Sequence, residues 1–223
     1  IPLRLVGSEM CIRDSVQSNG KIAMKLDEGD KLINVRICHE DNDIMLAARS
    51  GKCIRFPVTD VRVFVGRNST GVRGIKLAEG DEVISMSILL HSDATSEERD
   101  EYARIASAIK RISAERGDDS CVSPEDTGLL NVLTTEKYKE MAEREQFILS
   151  VTSTGYGKRT SSYEYRVTGR GGQGIANMEM SARNKEIVSS FPIEDDNQIM
   201  MVTDGGKLIR MPVKDIRIAG RKT

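Results

Sequence analysis

The strongest constraint on this chain is that it repeats itself. Residues 44–62, IMLAARSGKCIRFPVTDVR, lie over residues 199–217, IMMVTDGGKLIRMPVKDIR, at a constant offset of 155, with ten of nineteen positions identical. The shared residues include Gly51 with Gly206, Lys52 with Lys207, Arg55 with Arg210, Pro57 with Pro212 and Arg62 with Arg217. A third copy, ILSVTSTGYGKRTSSYEYR from Ile148, aligns at an offset of 104 and keeps Gly155, Arg159 and Arg166 in register. GKIAMKLDEGDKLINV at 20–35 lies over GVRGIKLAEGDEVISM at 71–86, an offset of 51 that preserves KLxEGD, and 51 also separates Ile148 from Ile199. The unit is therefore about 51 residues long. A tandem unit of that size cannot bury its hydrophobic surface alone and must stack on its neighbours.

Within a unit the local signals are β. Apolar and β-branched runs such as IMLAA, CIRFPV, VRVFV, VRGIKL and EVISMSIL are separated by Ser50-Gly51, the GRNSTG loop and the turn-like AEGD, which predicts about four short strands. Tandem four-stranded units of this length point to propeller-like blades. The expected organisation is the end of a blade at 16–43, a blade at 44–90, a blade at 147–198 and the start of a truncated blade at 199–223, a partial ring. Residues 1–15 match no repeat and read as a leader foreign to the domain, so the chain is expected to be a fragment at both ends. Residues 91–146 break the pattern. Thr95 and Glu98 are spaced as a capping box, Tyr102, Ile105, Ile109 and Ile112 recur at helical spacing, Gly117 is a plausible stop, and a second amphipathic stretch, TTEKYKEMAEREQ, follows Pro124. This predicts an acidic helical insertion leaning on one blade, with a degenerate blade as the alternative.

Net charge over the 223 residues is −1, which taken whole argues against a nucleic-acid partner. Sorted by segment, the repeat cores 44–76, 147–175 and 199–223 carry 17 lysines and arginines against four acids, whereas the insertion is acidic by six charges. Cations recurring at one place in each unit are the footprint of a backbone-binding surface for duplex DNA, and Phe56, Phe64, Tyr156, Tyr163 and Tyr165 are too irregular for a single-strand stacking platform. Cys11, Cys38, Cys53 and Cys121 are scattered, with only His39 and His91 beside them, so the expectation is reduced thiols of a cytosolic protein and no metal site. No run approaches the roughly 18 apolar residues of a membrane span. Gly169–Gly174 fits GxGxxG, but the repeat places it on the loop occupied by GRNSTG, which makes these turn glycines and not a dinucleotide fingerprint. The arginine after the first glycine recurs as Arg67, Arg170 and Arg221, where loop N–H groups and a guanidinium could hold a phosphate. Glu28-Gly29-Asp30 and Glu79-Gly80-Asp81 read as turns, and catalytic constellations are missing.

The run KLxEGD, SGKCIRFPVTDVR, GRNSTGVRGIKL, GYGKRT, EYRVTGRGGQGIANM and DGGKLIRMPVKDIRIAGR resembles the C-terminal domains of bacterial DNA gyrase A subunits, over about 16–90 and 147–223. The resemblance implies an all-β fold, a β-pinwheel of typically six blades whose basic rim wraps duplex DNA in support of ATP-driven negative supercoiling. It also implies a cytoplasmic, nucleoid-associated holoenzyme, a type II topoisomerase of two A and two B subunits. Other parts of that enzyme use ATP and Mg²⁺, and no cofactor is implied for these residues. DNA contacts are implied at Lys52, Arg55, Arg62, Arg67, Arg73, Lys158, Arg159, Arg166, Arg170, Lys207, Arg210, Arg217 and Arg221. The family's heptapeptide QRRGGKG does not occur in this sequence. The corresponding domain of topoisomerase IV and a propeller-type protein-interaction module are the alternatives.

Overall fold

A computed structural model describes residues 23–66, 69–116, 122–182 and 184–223. The chain divides into two compact units, Ile1–Leu32 with Arg62–Val72, and Ile33–Val61 with Arg73–Thr223. In the smaller unit, Asp30 N–H donates to the Asp27 carbonyl at 3.1 Å and Gly29 takes φ +90°, the turn read from Glu28-Gly29-Asp30. Lys25 N–H donates to the Ser69 carbonyl at 3.2 Å, and the Arg62 guanidinium stands 4.7 Å from the centroid of the Phe64 ring.

Among its described residues the larger unit holds two sheets and a hairpin. Strands β1 (Asn42–Ala48) and β2 (Lys52–Pro57) form an antiparallel hairpin through Gly51, which takes φ +86°, and β3 (Val83–Leu90) pairs on the other side of β1. After the insertion, β4 (Phe147–Thr152), β5 (Gly157–Ser161) and, further along the chain, β7 (Ile187–Ile193) repeat this arrangement in the order β5-β4-β7. Even the irregularities repeat: β1 shifts register between Ala47 and Ala48, and β4 between Val151 and Thr152, positions 104 apart. A last hairpin joins β8 (Gln198–Val202) to β9 (Leu208–Pro212).

The expectation of four strands within each contiguous unit is corrected. Residues of VRVFV and VRGIKL form no strand, and the fourth strand of the first sheet, β6 (Ile175–Ala176), comes from the following repeat and pairs with β2 at Lys52 and Cys53. Parallel bridges join Arg55 to Val167 and Arg159 to Ile218, 51 residues apart at the donated end, so the same exchange recurs at the next seam. An exchanged strand covers an edge that would otherwise present unpaired backbone groups to solvent.

Apolar packing follows the strand faces: Met45, Ala47, Cys53, Leu89, Ile148 and Tyr165 form one buried cluster, and Leu149, Ile193, Val213 and Ile216 another. Each mixes residues of two repeats, as stacking requires. Between the sheets lies a buried polar knot. Asn177 Oδ1 accepts from the Tyr165 hydroxyl at 2.7 Å, Asn177 Nδ2 donates to Ser150 Oγ at 3.1 Å, and Ser150 and Ser190 share a hydrogen bond of 3.1 Å.

The insertion is helical, as expected. Helix α1 (Ser96–Arg116) starts with the predicted capping box: Thr95 N–H donates to Glu98 at 2.7 Å and Glu98 N–H to Thr95 Oγ1 at 3.2 Å. Gly117, the expected stop, lies outside the described residues. Helix α2 (Thr135–Arg144) is capped by Thr134, whose side chain accepts from Lys137 N–H. Tyr102, Ile105, Leu133, Tyr138 and Met141 pack with Tyr163 of the second sheet's 3₁₀ turn, with Tyr102 stacked on Tyr138 at 4.9 Å and edge-on to Tyr163 at 5.2 Å. Buried Glu101 accepts from the N–H groups of Asn131, Val132 and Leu133 at 2.8–3.0 Å. Burial pushes its pKa up, but the three backbone donors outweigh it and the net shift is downward. A carboxylate held below its ordinary range of about 4.3 contributes its full stabilisation above that pH and loses it as pH falls through the lower value. The helix pair is therefore expected to melt early in an acid titration, and Glu101→Gln to remove that acid dependence; amide exchange of residues 131–133 between pH 3 and 6 reads it.

Candidate nucleic-acid interface

Each repeat places cations at three kinds of position: on the second strand, just after the 3₁₀ turn, and at the head of the glycine loop. On the second strands, equivalent arginines meet different surroundings. Arg55 is buried, 2% exposed; its Nε donates to Asp43 at 2.7 Å, Nη1 to the Ser162 carbonyl at 2.8 Å and Nη2 to the Leu90 carbonyl at 2.8 Å. Burial lowers its pKa and the contact with Asp43 opposes the shift. Arg159, 6% exposed, repeats the motif at the next seam, donating to the carbonyls of Ile216 and Lys214 at 2.8 and 3.2 Å and pairing with Asp195. Arg210, at the same position of β9, is exposed, and its side chain makes no hydrogen bond or ion pair among the described residues.

Arg55 and Arg159 are therefore corrected: they are ties between repeats, their donors committed to backbone carbonyls, and are withdrawn from the phosphate contacts. Lys158 is withdrawn as well. It is 6% exposed and donates to the Gly220 and Arg221 carbonyls at 2.7 and 2.6 Å. Burial brings its pKa down to about 8. The counter-ions Asp43 and Asp195 were invisible in the repeat, because they occupy non-equivalent positions of their units. Arg67 lies outside the described residues.

The remaining candidates face solvent. Lys52, Arg62, Arg73, Arg166, Arg170, Lys207, Arg210 and Arg217 are exposed, and none of the eight forms an ion pair among the described residues. Cations elsewhere behave differently: Arg49 pairs with Glu82, and Lys137 and Arg144 with Glu140. Lys76, Lys214 and Lys222 are exposed on the same segments and were not among the expected contacts.

The glycine loops carry the third position. Gly169–Gly174 runs into strand β6 and opens no helix, in keeping with turn glycines. Gly171 N–H donates to the Gly74 carbonyl and Lys76 N–H to the Gly172 carbonyl, which lays this loop along the preceding repeat. Arg170 grips that repeat, its Nε donating to the Asp60 carbonyl at 2.9 Å and Nη1 to the Arg73 carbonyl at 3.2 Å. Arg221 does the same one repeat later, donating to the Ala176 carbonyl. In both, Nη2 makes no hydrogen bond among the described residues. Beside the first loop lies a depression of about 280 Å³ lined by Ile54, Arg166, Thr168 and Gly172–Gly174. Cys53, at its floor, is a buried thiol whose pKa burial pushes up to about 12, against the nearby charges of Arg221 and Lys158.

Comparison with known proteins agrees with this architecture. Residues 15–39, 42–89, 146–193 and 197–223, together more than half of the chain, match the family described as the DNA gyrase C-terminal domain, β-propeller. The chain is 51% identical over 222 residues to the DNA gyrase A subunit of Granulibacter bethesdensis, covering 94% of this chain and 23% of that protein. It is 49% identical to the DNA gyrase A subunit of Rickettsia bellii, covering 93% and 22%, so it spans about a quarter of the curated relatives it matches. Among solved structures it is similar to the C-terminal domain of DNA topoisomerase IV (TM-score 0.62, 18% identity, 90% of this chain and 46% of that one). The DNA gyrase A C-terminal domain matches similarly (TM-score 0.60, 19% identity, 91% and 51%). At such identities these two structures speak for the fold alone.

Proposed function

The chain belongs to the DNA gyrase C-terminal domain family, and from that premise we propose that it binds duplex DNA through its phosphates and wraps it, supporting negative supercoiling by a whole ATP-dependent type II topoisomerase. The observation that carries the reading is the split among its cations: copies buried at seams have their donors committed to carbonyls, while the eight exposed ones have no counter-ion and, Arg170 apart, no such tie among the described residues. Exposed cations left unpaired on recurrent strand and loop positions are available to neutralise phosphates and release condensed counterions. No recognition helix enters a groove in this reading, so sequence enters through deformability and not through base edges. Bending 20–30 base pairs by 40–90° costs about 1–6 kcal/mol, which contacts spread over several repeats must offset.

The chemistry of strand breakage and ATP hydrolysis, with its Mg²⁺, belongs in this reading to other parts of the enzyme, which would include two B subunits beside a second copy of the A chain. The identity of 51% to a DNA gyrase relative favours gyrase over topoisomerase IV. Among the described residues no helix is long and apolar enough to cross a membrane.

The test is a salt titration of duplex binding by fluorescence anisotropy. The plot of log K against log salt is expected to fall linearly, at about −0.9 per phosphate neutralised. Arg166→Glu with Arg217→Glu is expected to weaken binding at least tenfold at fixed salt without lowering Tm. A flat salt dependence overturns the reading and leaves the protein-interaction module in its place.

A further inference from the structure

The glycine loop of the last repeat is held differently from the one before it. Three side chains of β5 and the 3₁₀ turn after it converge on residues 219–221: Lys158 Nζ donates to the Gly220 and Arg221 carbonyls at 2.7 and 2.6 Å, Thr160 Oγ1 donates to the Ala219 carbonyl at 3.0 Å, and Glu164 accepts from Arg221 N–H at 2.6 Å. At the preceding seam the position equivalent to Lys158 is Ile54, and in the last hairpin it is Ile209, so the lysine is particular to one seam. An ammonium is costly to bury, and here its donors are spent on two carbonyls of a loop whose arginine has Nε and Nη2 free.

We propose that Lys158 is a positioning residue: with Thr160 and Glu164 it clamps the 219–221 loop, and so holds Arg221 and Lys222 where they meet a phosphate, without touching the DNA itself. The role deepens the duplex-binding reading and rests on it. The groups facing the Lys158 amine are Glu164, Arg221 and Cys53; burial lowers its pKa most, Glu164 raises it, Arg221 lowers it and Cys53 raises it, leaving it at about 8. A released loop would return the amine to its ordinary value of about 10.4. The clamped state therefore binds its proton more weakly than the released one, and it tightens as pH rises through about 8. A neutral amine keeps enough N–H donors for both carbonyls.

Two measurements on the 223-residue chain test it. Amide exchange at Arg221, corrected for its intrinsic rate, is expected to slow about twentyfold between pH 7.5 and 9.5 in the wild type. In Lys158→Met it is expected to be faster and independent of pH over that range, and Thr160→Val gives a smaller loss in the same direction. In a double-mutant cycle at fixed salt, Lys158→Met is expected to weaken duplex binding several-fold in the wild type and less than twofold in the Arg221→Gln/Lys222→Gln background. Unchanged exchange in Lys158→Met overturns the clamp, and an equal loss of affinity in both backgrounds overturns positioning in favour of direct contact. If no variant or wild type binds duplex, the DNA reading fails, whereas the exchange measurement still decides the clamp.

Discussion

Replacing Arg55 with methionine lowers the unfolding free energy by about 3–5 kcal/mol, the cost of leaving one partner of a buried ion pair without the other. The stranded group is Asp43, whose side chain is fully buried and whose remaining partner is His91 at 2.7 Å. The carbonyls of Ser162 and Leu90 lose their donors too, and they belong to different repeats, so the seam itself loosens. The informative comparison is with the same substitution at the equivalent positions. Arg159→Met leaves Asp195, whose side chain is 70% exposed and rehydrates, so about 1–2 kcal/mol is expected. Arg210→Met breaks nothing among the described residues and stays within about 0.5 kcal/mol. Urea unfolding followed by circular dichroism ranks the three, and equal costs at Arg55 and Arg210 would mean that burial does not govern them. Pairing Arg55→Met with Asp43→Leu recovers much of the loss, because an apolar pair of similar volume needs no counter-ion.

Gly174→Ala is the second large effect, at about 2–5 kcal/mol. Gly174 takes φ +71°, where a side chain is strained, and a Cβ there would collide with the carbonyl of Cys53. That carbonyl belongs to β2, the strand that receives β6 immediately after Gly174. Neither side can give way, since a backbone carbonyl in a sheet is not a flexible side-chain end. The substitution is expected to detach the exchanged strand, raising amide exchange at Ile175 and Ala176 together with that of Asn177, whose N–H donates to the Gly51 carbonyl at 2.7 Å. Gly80 provides the control: it takes φ +75° but a Cβ would meet nothing within 4 Å, so Gly80→Ala carries only the backbone term of about 1 kcal/mol. Protection at residues 175–177 that survives Gly174→Ala would show that the close approach to Cys53 does not hold β6.

Much of the architecture was legible because local signals agreed with one another. Thr95 and Glu98 cap α1 as their spacing requires, and Tyr102 and Ile105 are buried on the face that their spacing marked. The glycines of GRGGQG are turn residues because the repeat, and not the motif, placed them. The strand count per unit was misread for a definite reason. Hydrophobic alternation in VRVFV and VRGIKL reports apolar surface to be covered, but it does not say whether a segment pairs in its own sheet or runs on without pairing as a strand. The short β6 was overlooked because two residues carry no periodicity at all.

The candidate site divides in the same way. That basic residues recur in each unit, and that an acidic insertion masks them in the net charge, is a property of the sequence alone, because spacing and charge are local counts. Which of those cations remain free was settled only by the tertiary structure. Arg55, Arg159 and Arg210 are the same residue at the same place in three copies, yet one is sealed against Asp43, one is tied to the next repeat's carbonyls and one faces water. The difference comes from what packs against each copy, and a neighbour's carbonyl groups arrive through exchanged segments about a hundred residues away for Arg55 and over fifty for Arg159, a distance across which no local pattern carries information.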